Sequence, residues 1–407
     1  MRSIAIVGAG QSGLLAALGL QQEGYDVTVV SDRSAEEIRT GRVMSGQCLF
    51  ESALSQERKL GLHYWDDEVT PISSLRFSVG DGGLASRSIT WSTRFDDPPS
   101  SVDQRLKMSR WLDEFATRGG EVRVRRAGLD DLEEYAAEHD LVLVAAGRGD
   151  QFSTLFERDA ENSPYAEPQR SLALIYVSTA RDAELPAQVT FNIQPGVGEF
   201  YWMPTLSVHG PVHGLCLSGI PGGPLDRWQG VEDVDEQWET FEGLIREHFA
   251  WDAEAFVGAV PAGPGDSLIG RVTPVVRNAV GTLPSGRHVL AMGDTAITND
   301  PIGGQGANNA VHCAVSYLDS IVGHGGGRFD QEFMKRCYAR YWDHARHATR
   351  LCNDLLAPPP DHVLETLTAA QFHPRVAKRF ASMFDNPADY GRWLAEPDTA
   401  HRYLRTL

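Results

Sequence analysis

Three glycines, Gly8, Gly10 and Gly13, stand in the spacing GxGxxG between the apolar run Ile4 to Val7 and the helix-forming run Leu14 to Leu20. Residues of this type at this spacing bind a pyrophosphate. The first glycine turns the chain, the second admits the phosphates, and the third lets helix meet strand, while Gln11 and Ser12 offer backbone N–H groups at the helix start. A dinucleotide also needs an acceptor for its ribose hydroxyls about 20 residues further on. Asp32 lies one place beyond the usual strand-end slot, which holds Ser31. Either residue suits that role; if Ser31 takes it, Asp32 and Arg33 form a solvated turn.

A second candidate anchor is Gly293-Asp294 at the end of the strand pattern Val289 to Met292, followed by Asp300, Pro301, Ile302, Gly303, Gly304, Gln305, Gly306, Ala307, Asn308 and Asn309. A carboxylate can accept from ribityl or ribose hydroxyls, and a glycine turn that opens a helix brings backbone N–H groups close to a flat ring. Together the two anchors favour FAD over NAD; an ordinary strand-to-helix loop is the plain alternative for the second. Gly147, just past the run Leu141 to Ala146, joins the candidate cofactor set.

These residues need a parallel sheet to carry them. Ile4–Val7, Val27–Val30, Val122–Val124 and Leu141–Ala146 read as buried strands, with helices over Leu14–Leu20, Val102–Arg118 and Leu129–Ala137 between them. Leu75 to Trp91 reads as exposed antiparallel strands. From Leu172 to Ile220, strands separated by Pro and Gly turns suggest a second sheet, and after Gln305 the pattern is helical apart from Pro358-Pro-Pro360. The expected fold is α/β: a Rossmann-like FAD-binding domain with a doubly wound parallel sheet, an inserted, mostly antiparallel substrate domain, and a helical C-terminal tail. The expected limits are 1–70, 100–165 and 272–350 for the FAD-binding domain, 71–99 and 166–271 for the substrate domain, and 351–407 for the tail.

Composition narrows the partners. Hydrophobic residues make up 42% and charged residues 23% of the 407 residues, which excludes a disordered chain. The net charge of −18 repels nucleic acid and anionic membrane surfaces. With no charged leader and no apolar run of ~18 residues, a cytoplasmic location off the membrane is expected. Five scattered cysteines without a CxxC pair point to reduced thiols, and His344 and His347, three apart with no third ligand nearby, do not make a metal site.

Taken together, Ile6-Val-Gly-Ala-Gly-Gln-Ser-Gly13, Asp26-Val-Thr-Val29, Asp32-Arg33, Val102-Asp-Gln-Arg-Leu106, Asn162-Ser-Pro-Tyr165, Pro168-Gln-Arg170, Pro204-Thr-Leu-Ser207, Gly293-Asp294, Asp300-Pro301 and Gly304-Gln-Gly-Ala-Asn308 span nearly the whole chain. In these motifs the chain resembles the FAD-dependent two-component monooxygenases that include styrene monooxygenase and indole monooxygenase. The resemblance implies an oxygenase component that receives reduced FAD from a separate NADH-dependent flavin reductase. It would hold a C4a-hydroperoxyflavin beside a small aromatic substrate, with no catalytic side chain demanded. A homodimer is left open.

By the same resemblance, Arg42 and Arg105 fall at positions near the cofactor. The alternatives are a loop arginine for Arg42, and for Arg105 a helix-surface arginine paired with Asp103 or Glu114. Ser45, Gln47 and Leu49, with Ile72 further along, depart from the Asn, Val, His set of styrene-preferring members and resemble the indole-preferring branch; a Ser or Gln could meet an indole N–H. Phe191, Ile193, Tyr201, Trp202 and Met203, on expected strands, could line an apolar pocket with Pro301 and Gly303, with core packing as the plain alternative. The favoured reading is therefore epoxidation of the indole 2,3 bond, leading to indoxyl and indigo. Its rivals are a styrene or vinyl-arene epoxidase, a single-component hydroxylase using NAD(P)H, and a non-oxygenating FAD-binding carrier.

Overall fold

The structure, a computed structural model, describes residues 2–82, 86–149, 152, 154–179 and 185–407. The chain begins with β1 (Ser3–Val7), α1 (Gln11–Gln22), β2 (Asp26–Ser31), α2 (Ala35–Thr40) and α3 (Glu51–Lys59), then crosses to β3 (Ser74–Gly80) and β4 (Arg87–Arg94). It returns through α4 (Gln104–Thr117), β5 (Glu121–Val124), α5 (Leu129–Glu138) and β6 (Leu141–Val144). It leaves again for β7 (Ser171–Ser178), β8 (Gln188–Gln194), β9 (Gly198–Ser207), β10 (Gly210–Gly219), α6 (Val234–His248), α7 (Ala250–Ala253), β11 (Val260–Pro261) and β12 (Ser267–Arg271). The last third holds β13 (Val275–Val276), β14 (Val280–Thr282), β15 (His288–Ala291), β16 (Ile297–Thr298), α8 (Gln305–His324), α9 (Gln331–Leu356) and four shorter helices, α10 (Asp361–Ala369), α11 (Pro374–Ser382), α12 (Pro387–Trp393) and α13 (Pro397–Leu404).

Six strands form the first sheet in the order β14-β15-β6-β1-β2-β5, parallel from β15 to β5. β1 lies at its centre, and Ile4, Ala5 and Ile6 are fully buried, as a strand covered on both faces requires. The second sheet runs β11-β7-β10-β9-β8-β3-β4, with β12 also on β7, and is antiparallel except where β3 joins β8.

That junction corrects the expectation that the strands over Leu75 to Trp91 are exposed, while their expected antiparallel pairing is observed between β3 and β4; residues 83–85 lie outside the described residues. β3 pairs in parallel with β8, and Leu75, Phe77, Val79, Ile89 and Trp91 are buried. The covering layer comes from far along the chain: Phe380 of α11 packs edge-on against Phe77 and Trp91, with ring centroids 5.2 and 5.5 Å apart. The expected limit at 350 falls inside a helix. α9 is continuous through it, because Tyr341, Ala345, Ala348, Leu351 and Cys352 form one buried stripe at helical spacing.

Three helices, α2, α3 and the four-residue α7, lie outside the helical patterns of the sequence. α2 carries the capping box of Ser34 with Glu37, a signature visible in Ser-x-x-Glu, whereas α3, ending Glu57-Arg-Lys59, has no side-chain cap to announce it.

Candidate functional site

The glycine turn at the end of β1 has three different environments. Gly8 sits at φ +123°, and a Cβ there would overlap the carbonyl oxygen of Ala145 on the neighbouring strand. A Cβ on Gly13 would overlap the Gly8 carbonyl, whereas one on Gly10 would meet nothing within 4 Å. Two glycines thus exist for packing and one for open space. Gly10 caps α1 without any side-chain hydrogen bond, and no acidic residue lies in the first turn. The unsatisfied N–H groups and the positive end of the helix dipole are therefore left for an anion.

A second bare helix start faces the same region. Gly304, at φ +62° and ψ 20°, opens α8 with no side-chain cap and no acid in the first turn, and Gly304 and Gly306 both border open space. Ala307 follows them, half-buried. Gln305 and Asn308 turn their side chains to protein rather than to this space. Gln305 donates to Gly303 O and Phe384 O at 3.0 and 2.8 Å. Asn308 donates to Cys48 O and Gly304 O, both at 2.9 Å, and accepts from Phe50 N at 3.0 Å, so it ties the segment ahead of α3 to α8. What these two offer a ligand is backbone.

Gly293 packs against Ser12, which brings Asp294 beside the start of α1, where it pairs with Arg148 at 3.2 Å. Gly147 borders open space nearby, its carbonyl accepting from Thr295 at 3.3 Å. Ser31 is buried and donates within its own turn, to Arg33 O at 2.6 Å, while the Asp32 carboxylate is 63% exposed beside Arg33. Arg33 also reaches Met44 Sδ at 3.2 Å.

Arg42 is exposed, with no ion pair among the described residues. Arg105 is not a helix-surface arginine. It is 2% exposed and pairs with Asp103 at 2.9 Å through Nε, with Asp266, and with Gly41 O at 3.2 Å. Burial works to lower its pKa, but Asp103 and Asp266 overcome this and raise it. Its place is to join α4 to the segments flanking Gly41 and Asp266, one residue from Arg42, and Asp266 was the partner that sequence reading missed because it lies 161 positions away.

The inner face of the second sheet completes the site. Register places Phe191 opposite Tyr201 and Tyr201 opposite Cys216, so these share a face with Ile193, Met203 and Gly214. Trp202 belongs to the other face, where its ring packs on Phe256 and its N–H donates to Asp252 at 3.1 Å. Over the inner face lie Pro301, which is exposed, Gly303, seated on Cys352, and Gly46, against Leu174. Ser45 donates to Gly46 O at 3.0 Å, and Gln47 is 3% exposed with neither amide atom partnered among the described residues. Leu49 instead packs into the core around the first sheet, and Ile72 is fully buried, its N–H bonded to Pro99 O at 2.9 Å.

A buried network lies behind α1 that no local motif signals. Gln11 donates to Glu57 at 2.6 Å, and Lys107 reaches the two Glu57 oxygens at 2.9 and 3.0 Å. His63 Nδ1 sits 3.4 Å from the same carboxylate.

Residues 147–255 match the family described as "Styrene monooxygenase A putative substrate binding domain". Over 399 residues the chain is 30% identical to styrene monooxygenase StyA of Pseudomonas fluorescens, covering 95% of this chain and 93% of that one. The chain belongs to the styrene monooxygenase family. A StyA from a Pseudomonas species is 29% identical over the same length. Among solved structures, the flavin-dependent brominase Bmp2 shares the fold with a TM-score of 0.63 at 14% identity, over 94% of this chain and 90% of that one. A flavoprotein/dehydrogenase from Cytophaga hutchinsonii does so at 0.68 and 14%, over 94% and 92%.

This styrene monooxygenase family member is a flavin monooxygenase, and FAD is its cofactor. The residues fit that group. Open space at Gly10 and the uncapped start of α1 suit the pyrophosphate, and Asp294 stands beside them for hydroxyls. The uncapped start of α8 and Pro301 suit the flavin ring. Among the described residues no helix is long and apolar enough to cross a membrane.

Proposed function

We propose that the chain is the oxygenase component of a two-component system: an NADH-dependent reductase supplies reduced FAD, and this chain epoxidises the 2,3 bond of indole, which opens to indoxyl and oxidises to indigo. Bound in reduced form, FAD supplies the two electrons that activate O2. The chain's own residues bind and orient. The α1 start with Gly8, Gly10 and Gly13 takes the pyrophosphate, Asp294 the hydroxyls, and the Pro301–Gly304 turn with the α8 start faces the ring. Phe191, Tyr201 and Met203 give the substrate an apolar wall that excludes water. An alkene attacks electrophilic oxygen without losing a proton first, so no general base is needed.

The observation that carries the choice of indole is Gln47. A buried amide with no partner is costly unless a ligand completes it, and indole has the N–H that its Oε1 can accept while styrene has none. The competing substrate is styrene, favoured by what the StyA relatives are named for. Support for a separate reductase is the family membership itself.

Purified chain given chemically reduced FAD in air is expected to turn indole into indoxyl; no product from either indole or styrene ends the proposal. Rapid NADH oxidation by the chain alone would favour the single-component reading. Gln47→Leu should slow indole oxidation on the order of 10- to 100-fold, matching about 1–3 kcal/mol for the lost hydrogen bond, and spare styrene. Equal losses on both substrates would remove Gln47 as the reason for choosing indole.

A further inference from the structure

Asp300 stands one residue before Pro301 and is fully buried. Its Oδ1 accepts from Ile302 N at 3.0 Å and caps the short turn; its Oδ2 is buried with no partner among the described residues. Capping does not call for an acid here, because Asn or Ser caps equally well. An ionised carboxylate without a counter-ion is expensive to bury, so the extra oxygen and its proton call for a reason.

The groups that face Asp300 leave it unneutralised. From the sheet, Arg170 is locked bidentate on Glu199, with both contacts at 2.9 Å, and so brings little net charge. Tyr201 and Cys216 lie opposite one another on the same face, Cys352 comes from α9, and Tyr165 and Arg148 face it from more distant segments. Burial raises the Tyr201 hydroxyl well above its ordinary value, pushes Cys216 up to about 12 and Cys352 beyond that. Burial also raises Asp300, opposed by its cap on Ile302 and by Arg170, to about 6. Burial thus holds the protons of Tyr201, Cys216 and Cys352 far above neutrality and brings that of Asp300 up toward it.

Oxygen transfer sets a demand for such a group. Placing one atom of O2 on an alkene and releasing the other as water consumes two electrons and two protons. Reduced FAD that enters as its anion brings both electrons and one proton. We propose that Asp300 is the proton-donating residue of this monooxygenase: its carboxyl, buried at the head of the Pro301 turn with Oδ2 free, gives the second proton to the oxygen that departs as water. Asp300 is left as the carboxylate and takes a proton back from solvent before the next turnover. The inference rests on the monooxygenase reading, not on the choice of indole.

Asp300→Asn keeps the volume and the cap on Ile302. The variant should bind FAD within about threefold of wild type by fluorescence titration, yet form product on the order of 10²- to 10³-fold more slowly from whichever aromatic alkene the wild type oxidises. Wild-type turnover should fall as pH rises through the Asp300 titration, and that limb should be absent in the variant. Infrared difference spectra of the cofactor-free protein give an independent readout. A carboxylic acid carbonyl band should vanish between about pH 5 and about pH 8 in wild type and be missing from Asp300→Asn at both. Turnover within about threefold of wild type with the limb intact overturns the proposal, as does loss of FAD affinity in step with rate, or an infrared band unaffected by the substitution. If the wild type oxidises no alkene, the proposed function falls, and the infrared titration alone decides whether Asp300 holds a proton.

Discussion

Alanine at Gly8 is expected to destabilise the protein by about 3 kcal/mol or more and abolish FAD binding with the fold, whereas alanine at Gly10 should weaken FAD binding in a protein as stable as wild type. The two substitutions add the same methyl group at positions two residues apart. At Gly8 it meets the Ala145 carbonyl on β6, in a backbone at φ +123° that L-residues rarely adopt, so strain and overlap add. At Gly10 the backbone is extended, φ −88° and ψ −174°, and the methyl meets no protein atom within 4 Å. The obstacle it would meet is the pyrophosphate proposed to lie there. Thermal melts without cofactor separate the two cases, and FAD titration of the Gly10→Ala variant should show affinity weakened on the order of 10- to 100-fold. A Gly10→Ala protein that binds FAD normally would remove the pyrophosphate from this turn.

Lys107→Met is the second large effect. Glu57 is fully buried and Lys107 is 1% exposed, so removing the ammonium leaves a carboxylate in the core beside Gln11 and His63 alone, at a cost of about 3–5 kcal/mol. The pH dependence has a definite sign. In the wild type, burial works to raise the Glu57 pKa, but Lys107 and His63 overcome it and hold the carboxyl below its ordinary value. A depressed folded pKa gives stability that is present above the unfolded value and lost as pH falls through the folded one. Without Lys107 the sign reverses, so the destabilisation should be greatest at neutral pH and shrink in acid as Glu57 takes a proton. Chemical denaturation at several pH values measures this, and the Glu57→Gln/Lys107→Met pair should recover most of the loss. A pH-independent deficit would mean that packing of the Lys107 stem, not its charge, is what matters. Because Gln11 opens α1 and donates to Glu57, FAD affinity should loosen along with stability in the single variant.

The parallel sheet and its glycine turn were legible because their causes are local. A short apolar run, three glycines and a helix former within twenty residues state their geometry at close range, and the same holds for Gly304 opening α8. α4 and α5 likewise announced themselves by helical periodicity, within a residue or two of their observed ends. β3 and β4 were misjudged as exposed because their cover, Phe380 on α11, lies hundreds of residues away, and the alternation of a strand does not say what lies over it.

The candidate site divides along the same line. Residue types and spacing alone pointed to Gly8 to Gly13, and again to Gly304 to Ala307, as backbone sites for a dinucleotide, since anion binding by a helix start needs little more than bare N–H groups and room. Only the tertiary structure decided which side chains are free to meet a ligand. It turned Asn308 and Gln305 to protein, buried Arg105 between Asp103 and Asp266, sent Leu49 into the first core and Trp202 to the far face of its sheet, and left Gln47 and the Oδ2 of Asp300 buried without partners. The physical reason is that a polar side chain is satisfied by whatever lies within about 3 Å of it, and those neighbours are set by packing between segments far apart in the chain.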